Sequence, residues 1–165
     1  MLGDCGRAAL VLDFGGSYDF RQLTIGNYWG NSVRLDSALY LSNYSFDNLG
    51  KKIFNSLTNA YFGNIILYGA LDDELSFKRD ASTAFNFMFD HCLLKTHKSI
   101  SDPTHYNSCI VNKDPGFVNV LTYDYQIDSI SPAILQGKNL GILFDIKGKI
   151  RGSTPDLGAY QYVPK

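Results

Sequence analysis

Two kinds of short apolar segment recur along this chain, and their strict alternation constrains its fold more than any other feature. The first kind occupies residues 9–12, 38–41 and 74–77. The second kind begins with phenylalanine and occupies residues 20–25, 62–67 and 89–94. One pair makes a unit, and the unit occurs three times. Such recurrence marks an architecture in which a unit buries its apolar face only against its neighbours. Segments of the first kind begin 29 and 36 residues apart, and those of the second kind 42 and 27 apart. The extra residues fall at 45–59 and 78–84, as expected of strands held in register while loops on one side grow at small thermodynamic cost.

Aligned on Phe20, Phe62 and Phe89, the second kind places Leu23, Ile65 and Cys92 in one column and Ile25, Leu67 and Leu94 in another. These columns alternate with Thr24, Ile66 and Leu93, the period of two that a strand demands. The expectation is three inward ladders. Ile66 and Leu93 then face outward and need a covering loop. Helical periodicity is confined to residues 48–57, where Leu49, Ile53, Phe54 and Leu57 fit one stripe with Asp47 as the N-cap.

The 165 residues are 45% hydrophobic and 14% aromatic, with a net charge of −1. That is enough apolar material for a packed core, so the chain is not disordered. The charge balance gives no reason to expect nucleic acid or an anionic membrane as a partner. Three cysteines, Cys5, Cys92 and Cys109, form no C-x-x-C pair, and they read as buried free thiols. No secretory signal peptide and no 18-residue apolar span is visible. A phosphate loop, a G-x-S-x-G elbow and an H-E-x-x-H pair are also missing.

Four pieces toward the C-terminus carry a resemblance: Lys113 to Asn119, Tyr125 to Ala133, Asp145 to Arg151, and Pro155 to Tyr162. Their order and spacing resemble the C-terminal end of right-handed parallel β-helix proteins of Bacteroidetes type, called pectate-lyase-like or choice-of-anchor Q domain proteins. The resemblance runs from about Ala8. It implies an all-β fold, a right-handed parallel β-helix or solenoid, here its last few coils plus a closing segment. It implies one domain, with coils over 1–112, a loop insertion near 45–59, and a closing segment over 113–165. It also implies a polysaccharide-associated protein, secreted or at the outer-membrane surface in its full length. Such proteins carry many coils, a cap and an export signal. This chain therefore reads as a fragment whose exposed first coil invites self-association.

Glycan binding is the leading expectation. The rivals are part of a polysaccharide lyase or glycoside hydrolase needing upstream coils, and a structural C-terminal module of an adhesin. Tyr28, Trp29 and Tyr40 are the candidate sugar platforms. Asp13, Asp19, Arg21, Asp90 and His91 are the candidate catalytic groups, with Asp90 in the column of Arg21 and Gly63. Asp145, Gly148, Arg151, Asp156, Gly158 and Tyr160 read as structural. In that reading Asp-x-x-Gly is a turn, Arg151 grips a carboxylate, and Gly158 permits close approach. No cofactor is expected unless the chain is a lyase, in which carboxylates such as those of Asp13 and Asp19 would hold Ca²⁺; the run Asp72, Asp73 and Glu74 reads as an acidic turn that would need further ligands to hold one. His97 and His105 lie in a polar loop and fit no metal pattern.

Overall fold

The computed structural model describes residues 1–164; Lys165, the last residue of the expected closing segment, lies outside them. Sixteen strands are short and follow in order. They are β1 (Leu2–Gly3), β2 (Leu10–Leu12), β3 (Gly16–Arg21), β4 (Thr24–Asn27), β5 (Leu39–Ser42), β6 (Tyr44–Phe46), β7 (Lys52–Phe54) and β8 (Leu57–Gly63). Then come β9 (Ile66–Gly69), β10 (Leu75–Lys78), β11 (Met88–Asp90), β12 (Leu93–Leu94), β13 (Tyr106–Asn107), β14 (Ile110–Val111), β15 (Phe117–Asn119) and β16 (Asp124–Ile127). A 3-10 turn at Val120–Thr122 is the only helical element among the described residues.

The strands form five small sheets. Three are parallel, in the orders β1-β4-β9-β12-β14, β2-β5-β10 and β3-β8-β11-β13; β6-β7 and β15-β16 are antiparallel pairs. This corrects the expected fold class. The chain is all-β, but its strands divide among separate parallel and antiparallel sheets, and no single right-handed parallel β-helix runs through it. Two local causes are visible. The insertion folds back on itself as β6-β7, and the parallel pairing stops at Val111, beyond which the only named strands pair antiparallel. The expected helix at 48–57 is corrected too. Asp47 Oδ1 accepts from the amides of Leu49 and Lys51, closing the hairpin turn and leaving Leu49 93% exposed.

The Phe-led segments are each two strands rather than one. Gln22, Asn64 and His91 stand at φ of 53°, 53° and 55°, and at these left-handed residues the chain turns from one parallel sheet into another. Register then aligns like with like. Phe20, Phe62, Phe89 and Tyr106 stack with ring centroids 5.4, 4.7 and 5.7 Å apart and planes within 11°. Ile25, Leu67, Leu94 and Val111 pair in sequence, as do Leu10, Leu39 and Leu75. All three parallel sheets face this one core, which also holds Leu23, Ile65, Cys92 and Cys109.

A second, smaller core lies on the outer face of the five-stranded sheet. There Ile66 and Leu93 are buried under Ile127, Ala133 and Leu157 of the closing segment. No helix among the described residues is long and apolar enough to cross a membrane.

Candidate functional site

The outer face of β2, β5 and β10 carries an open groove of about 490 Å³. Its floor is the register row Val11, Tyr40, Ser76, whose side chains point away from the core because their neighbours Leu39, Leu41 and Leu75 point into it. Asp13 and Lys78 stand at one side, and Ser37, Leu35 and the Arg7–Asp36 pair at the other. The Lys78 ammonium lies 5.7 Å from the centre of the half-buried Tyr40 ring. Among the described residues, neither Lys78 Nζ nor the Asp13 carboxylate has an ion-pair partner.

The structure separates the three expected sugar platforms. Tyr40 alone lines the groove. Tyr28 is wedged against the closing segment, 6.2 Å from both the Phe117 and Tyr125 rings, and burial raises its phenol pKa. Trp29 covers Gly6, where an added Cβ would lie 3.2 Å from the indole, and its Nε1 donates to Ser32 Oγ at 2.9 Å.

The candidate catalytic groups converge, except for Asp13, on the outer face of β3, β8 and β11. Asp19 and Arg21 pair with each other at 2.7 Å, and the Arg21 guanidinium stands 6.0 Å from the Tyr61 ring centre. Asp90 is 5% exposed and receives four donors. Tyr61 Oη at 2.9 Å and Lys138 Nζ at 3.1 Å meet one oxygen; His91 Nδ1 and Asn107 Nδ2, both at 2.7 Å, meet the other. Burial pushes the Asp90 carboxyl up, but the bonds from His91, Lys138, Tyr61 and Asn107 outweigh it and hold it below the usual carboxylate range. Burial and the bond to Asp90 raise the Tyr61 phenol. An ionised carboxylate only accepts, so His91 Nδ1 is the donor, which fixes the tautomer. With its acceptor positions filled, Asp90 works as a post for these four side chains.

In the closing segment the six structural candidates lie together. Asp145 accepts from the amides of Lys147, Lys149 and Gln161 at 2.7, 2.8 and 2.9 Å, and Gly148 (φ 78°) completes the turn. Asp156 accepts from Leu135 and Tyr162. Arg151 differs from expectation. It donates to the carbonyls of Gly158 at 2.8 Å and Asp156 at 3.3 Å, and forms no carboxylate ion pair among the described residues. Gly158 (φ 84°) sits where a Cβ would lie 2.5 Å from Thr24 Oγ1. The Ala159 amide donates to that same hydroxyl at 2.9 Å. Tyr160 is half-buried beside them.

The acidic run after Gly69 is dispersed. Asp72 is exposed, Asp73 holds Thr96 Oγ1 and Lys98 Nζ, and Glu74 turns inward. No group of three His, Cys, Asp or Glu residues able to hold a metal ion occurs among the described residues. His105 stacks on Phe87 at 4.1 Å, and His97 is exposed. All three cysteines are free thiols.

Sequence reasoning missed a buried ion pair. Arg34 grips Glu74 through two bonds of 2.5 and 2.8 Å, with side-chain exposures of 2% and 0%. Glu74 also accepts from the amides of Leu71 and Ala38. The two residues are 40 apart, and Glu74 sits in an acidic turn, so nothing local announces the pairing. Sequence reasoning also missed four asparagines. Asn27, Asn43, Asn64 and Asn112 each present the side-chain oxygen to one backbone N–H and the amide nitrogen to a backbone C=O of a distant segment.

No family model matches the chain. Neither the curated proteins nor the solved structures yield a significant match.

Proposed function

We propose that this chain binds carbohydrate through the groove over β2, β5 and β10. The observation that carries the reading is the half-buried Tyr40 ring in the middle of an open sheet face, with charged groups on both sides and the hydroxyls of Ser37 and Ser76 beside it. A sugar presents an apolar face suited to an aromatic ring and a rim of hydroxyls suited to such neighbours. Binding is favoured over turnover because, of the two carboxylates lining the groove, Asp36 is engaged by Arg7 and Asp13 stands without a carboxylate partner, whereas acid–base work on a glycoside uses a pair. The reading calls for no metal ion or organic cofactor. The resemblance read from residues 113–162 points to an extracellular or outer-membrane setting.

A glycan array with wild type, Tyr40→Ala and Trp29→Ala tests this. Tyr40→Ala is expected to lower affinity by roughly tenfold, the scale of one lost aromatic contact, while Trp29→Ala binds like wild type. Absence of glycan binding by the wild type overturns the proposal. Turnover of a uronate polymer to unsaturated products would instead favour the lyase.

A further inference from the structure

Cys92 and Cys109 occupy one position on neighbouring turns of the chain. Cys92 precedes β12 and Cys109 precedes β14, which lie side by side in the five-stranded sheet. The register runs unbroken through both. Asp90 pairs with Asn107 and Leu93 with Ile110, each 17 residues apart, as the two cysteines are. The residues before them, His91 and Ser108, stand at left-handed φ of 55° and 51°. Both side chains therefore leave the bend in the same direction, into the main core. Cys92 Sγ donates to the Phe62 carbonyl at 3.1 Å, and Cys109 Sγ to the Phe89 carbonyl, one turn on, at 3.3 Å. Each thiol also has the other as a hydrogen-bond neighbour. Cys5 lies elsewhere, beside β1 at the opposite end of the sheet order.

We propose that Cys92 and Cys109 form an oxidation site, which a small-molecule disulfide converts from two thiols to one disulfide between neighbouring turns. Paired strands stand about 4.8 Å apart, inside the roughly 4.4–6.8 Å between Cα atoms that a disulfide spans. The bond therefore calls for side-chain rotation rather than backbone movement. A thiol is a weak donor, so giving up the two carbonyl contacts costs little.

The two sulfurs take different parts. Cys92 is fully buried, whereas Cys109 is half-buried beside the outermost strand of its sheet. Burial pushes the Cys92 thiol pKa up, while the bond from Cys92 holds that of Cys109 down. Cys109 is thus the attacking thiol and Cys92 the resolving one. With oxidised glutathione as the oxidant, Cys109 releases its proton to solvent and its sulfur attacks one glutathione sulfur. The glutathione S–S bond breaks, and the first glutathione leaves as a thiolate and takes up a proton. Cys92 Sγ then attacks Cys109 Sγ in the mixed disulfide and expels the second glutathione, which takes the Cys92 proton. Two protein thiols are oxidised, and one glutathione disulfide is reduced to two thiols. The site lies on a different sheet from the sugar groove, so either reading can fail without the other.

Non-reducing peptide mapping of the full chain tests this, after folded, reduced protein is incubated with oxidised glutathione and then alkylated in denaturant. The expected product is a Cys92–Cys109 cross-link in a chain that still melts cooperatively, with Cys5 outside it. Its Tm should exceed that of the reduced chain by roughly 5–10 °C and fall back on adding dithiothreitol. Cys92→Ala should instead retain one glutathione on Cys109, and Cys5→Ser should cross-link like the wild type. The wild-type map decides the matter even where Cys92→Ala fails to fold. Cys92 and Cys109 left as thiols, glutathione adducts without a cross-link in the wild type, or a cross-link through Cys5 would each overturn the proposal.

Discussion

The parallel sheets and the closing segment solve the same problem by different means. In the sheets, one position recurs on successive strands, so Phe20, Phe62, Phe89 and Tyr106 support one another in series. In the closing segment few apolar side chains are buried, and others such as Leu143, Phe144 and Ile150 stay exposed. Leu157, Ile127 and Ala133 cover Ile66 and Leu93. Most of the remaining order comes from single polar contacts, with Asp145, Asp156 and Arg151 holding backbone groups within the segment and Thr24 holding Ala159 across it. A ladder is redundant and depends on volume. A pinned loop depends on a few individual donors and acceptors, each bonding two or three backbone groups that no repeat duplicates.

Removing volume from the middle of a ladder should therefore cost most. Phe62→Ala deletes a fully buried ring stacked on both sides and should lose about 3–5 kcal/mol in urea unfolding. A loss under about 1 kcal/mol would show that the ladder does not hold the sheets together. Arg34→Met should follow closely, at about 3 kcal/mol, because it leaves Glu74 buried and unpaired. Adding Glu74→Leu should recover much of that loss, since the penalty belongs to the stranded charge.

The closing segment should respond to backbone geometry and to pH. Gly158→Ala forces a left-handed φ on alanine and drives its Cβ toward Thr24, so about 1–3 kcal/mol should be lost in the same assay. Asp145 sharpens the contrast. Burial raises its carboxyl, but the amides of Gln161, Lys149 and Lys147 outweigh that and leave it below the usual aspartate value. A depressed folded pKa contributes stability above the unfolded value of about 4, and that contribution disappears as pH falls through the folded value. The acid limb of the stability profile should flatten in Asp145→Asn, with little change in its shape near neutrality. The smallest effect belongs to the exposed Asp19–Arg21 pair, where Arg21→Ala should leave the melting temperature unchanged within error.

The sequence announced the ladders more clearly than the sheets. Alignment on Phe20, Phe62 and Phe89 was enough to place Ile25, Leu67 and Leu94 together, because a period of two and a repeated aromatic are local signals. It also flagged Ile66 and Leu93 as outward residues in need of cover, which the closing segment supplies. The bend at Gln22, Asn64 and His91 escaped notice, since glutamine does not advertise a left-handed φ and the enrichment of asparagine and histidine there is a weak signal on its own. The stripe at Leu49, Ile53, Phe54 and Leu57 mimicked a helix. It became a hairpin because Asp47 caps a turn and Leu57 belongs to the next parallel strand. At the candidate site, Asp90 and His91 are neighbours in sequence, whereas Lys138 arrives from 48 residues away and no local signal connects it to them.

The four asparagines have a consequence for how such a chain can change over time. A carboxamide offers one acceptor and one donor group in a plane, as a peptide unit does. Asn64 bonds both backbone groups of Lys138, and Asn112 both of Thr96. Each is a side-chain imitation of the next strand, placed where the real strand is absent. A segment gripped in this way is held at one residue, so material on either side of the grip can lengthen or shorten without disturbing the stack. Evolution can edit such loops freely as long as it leaves the amide in place.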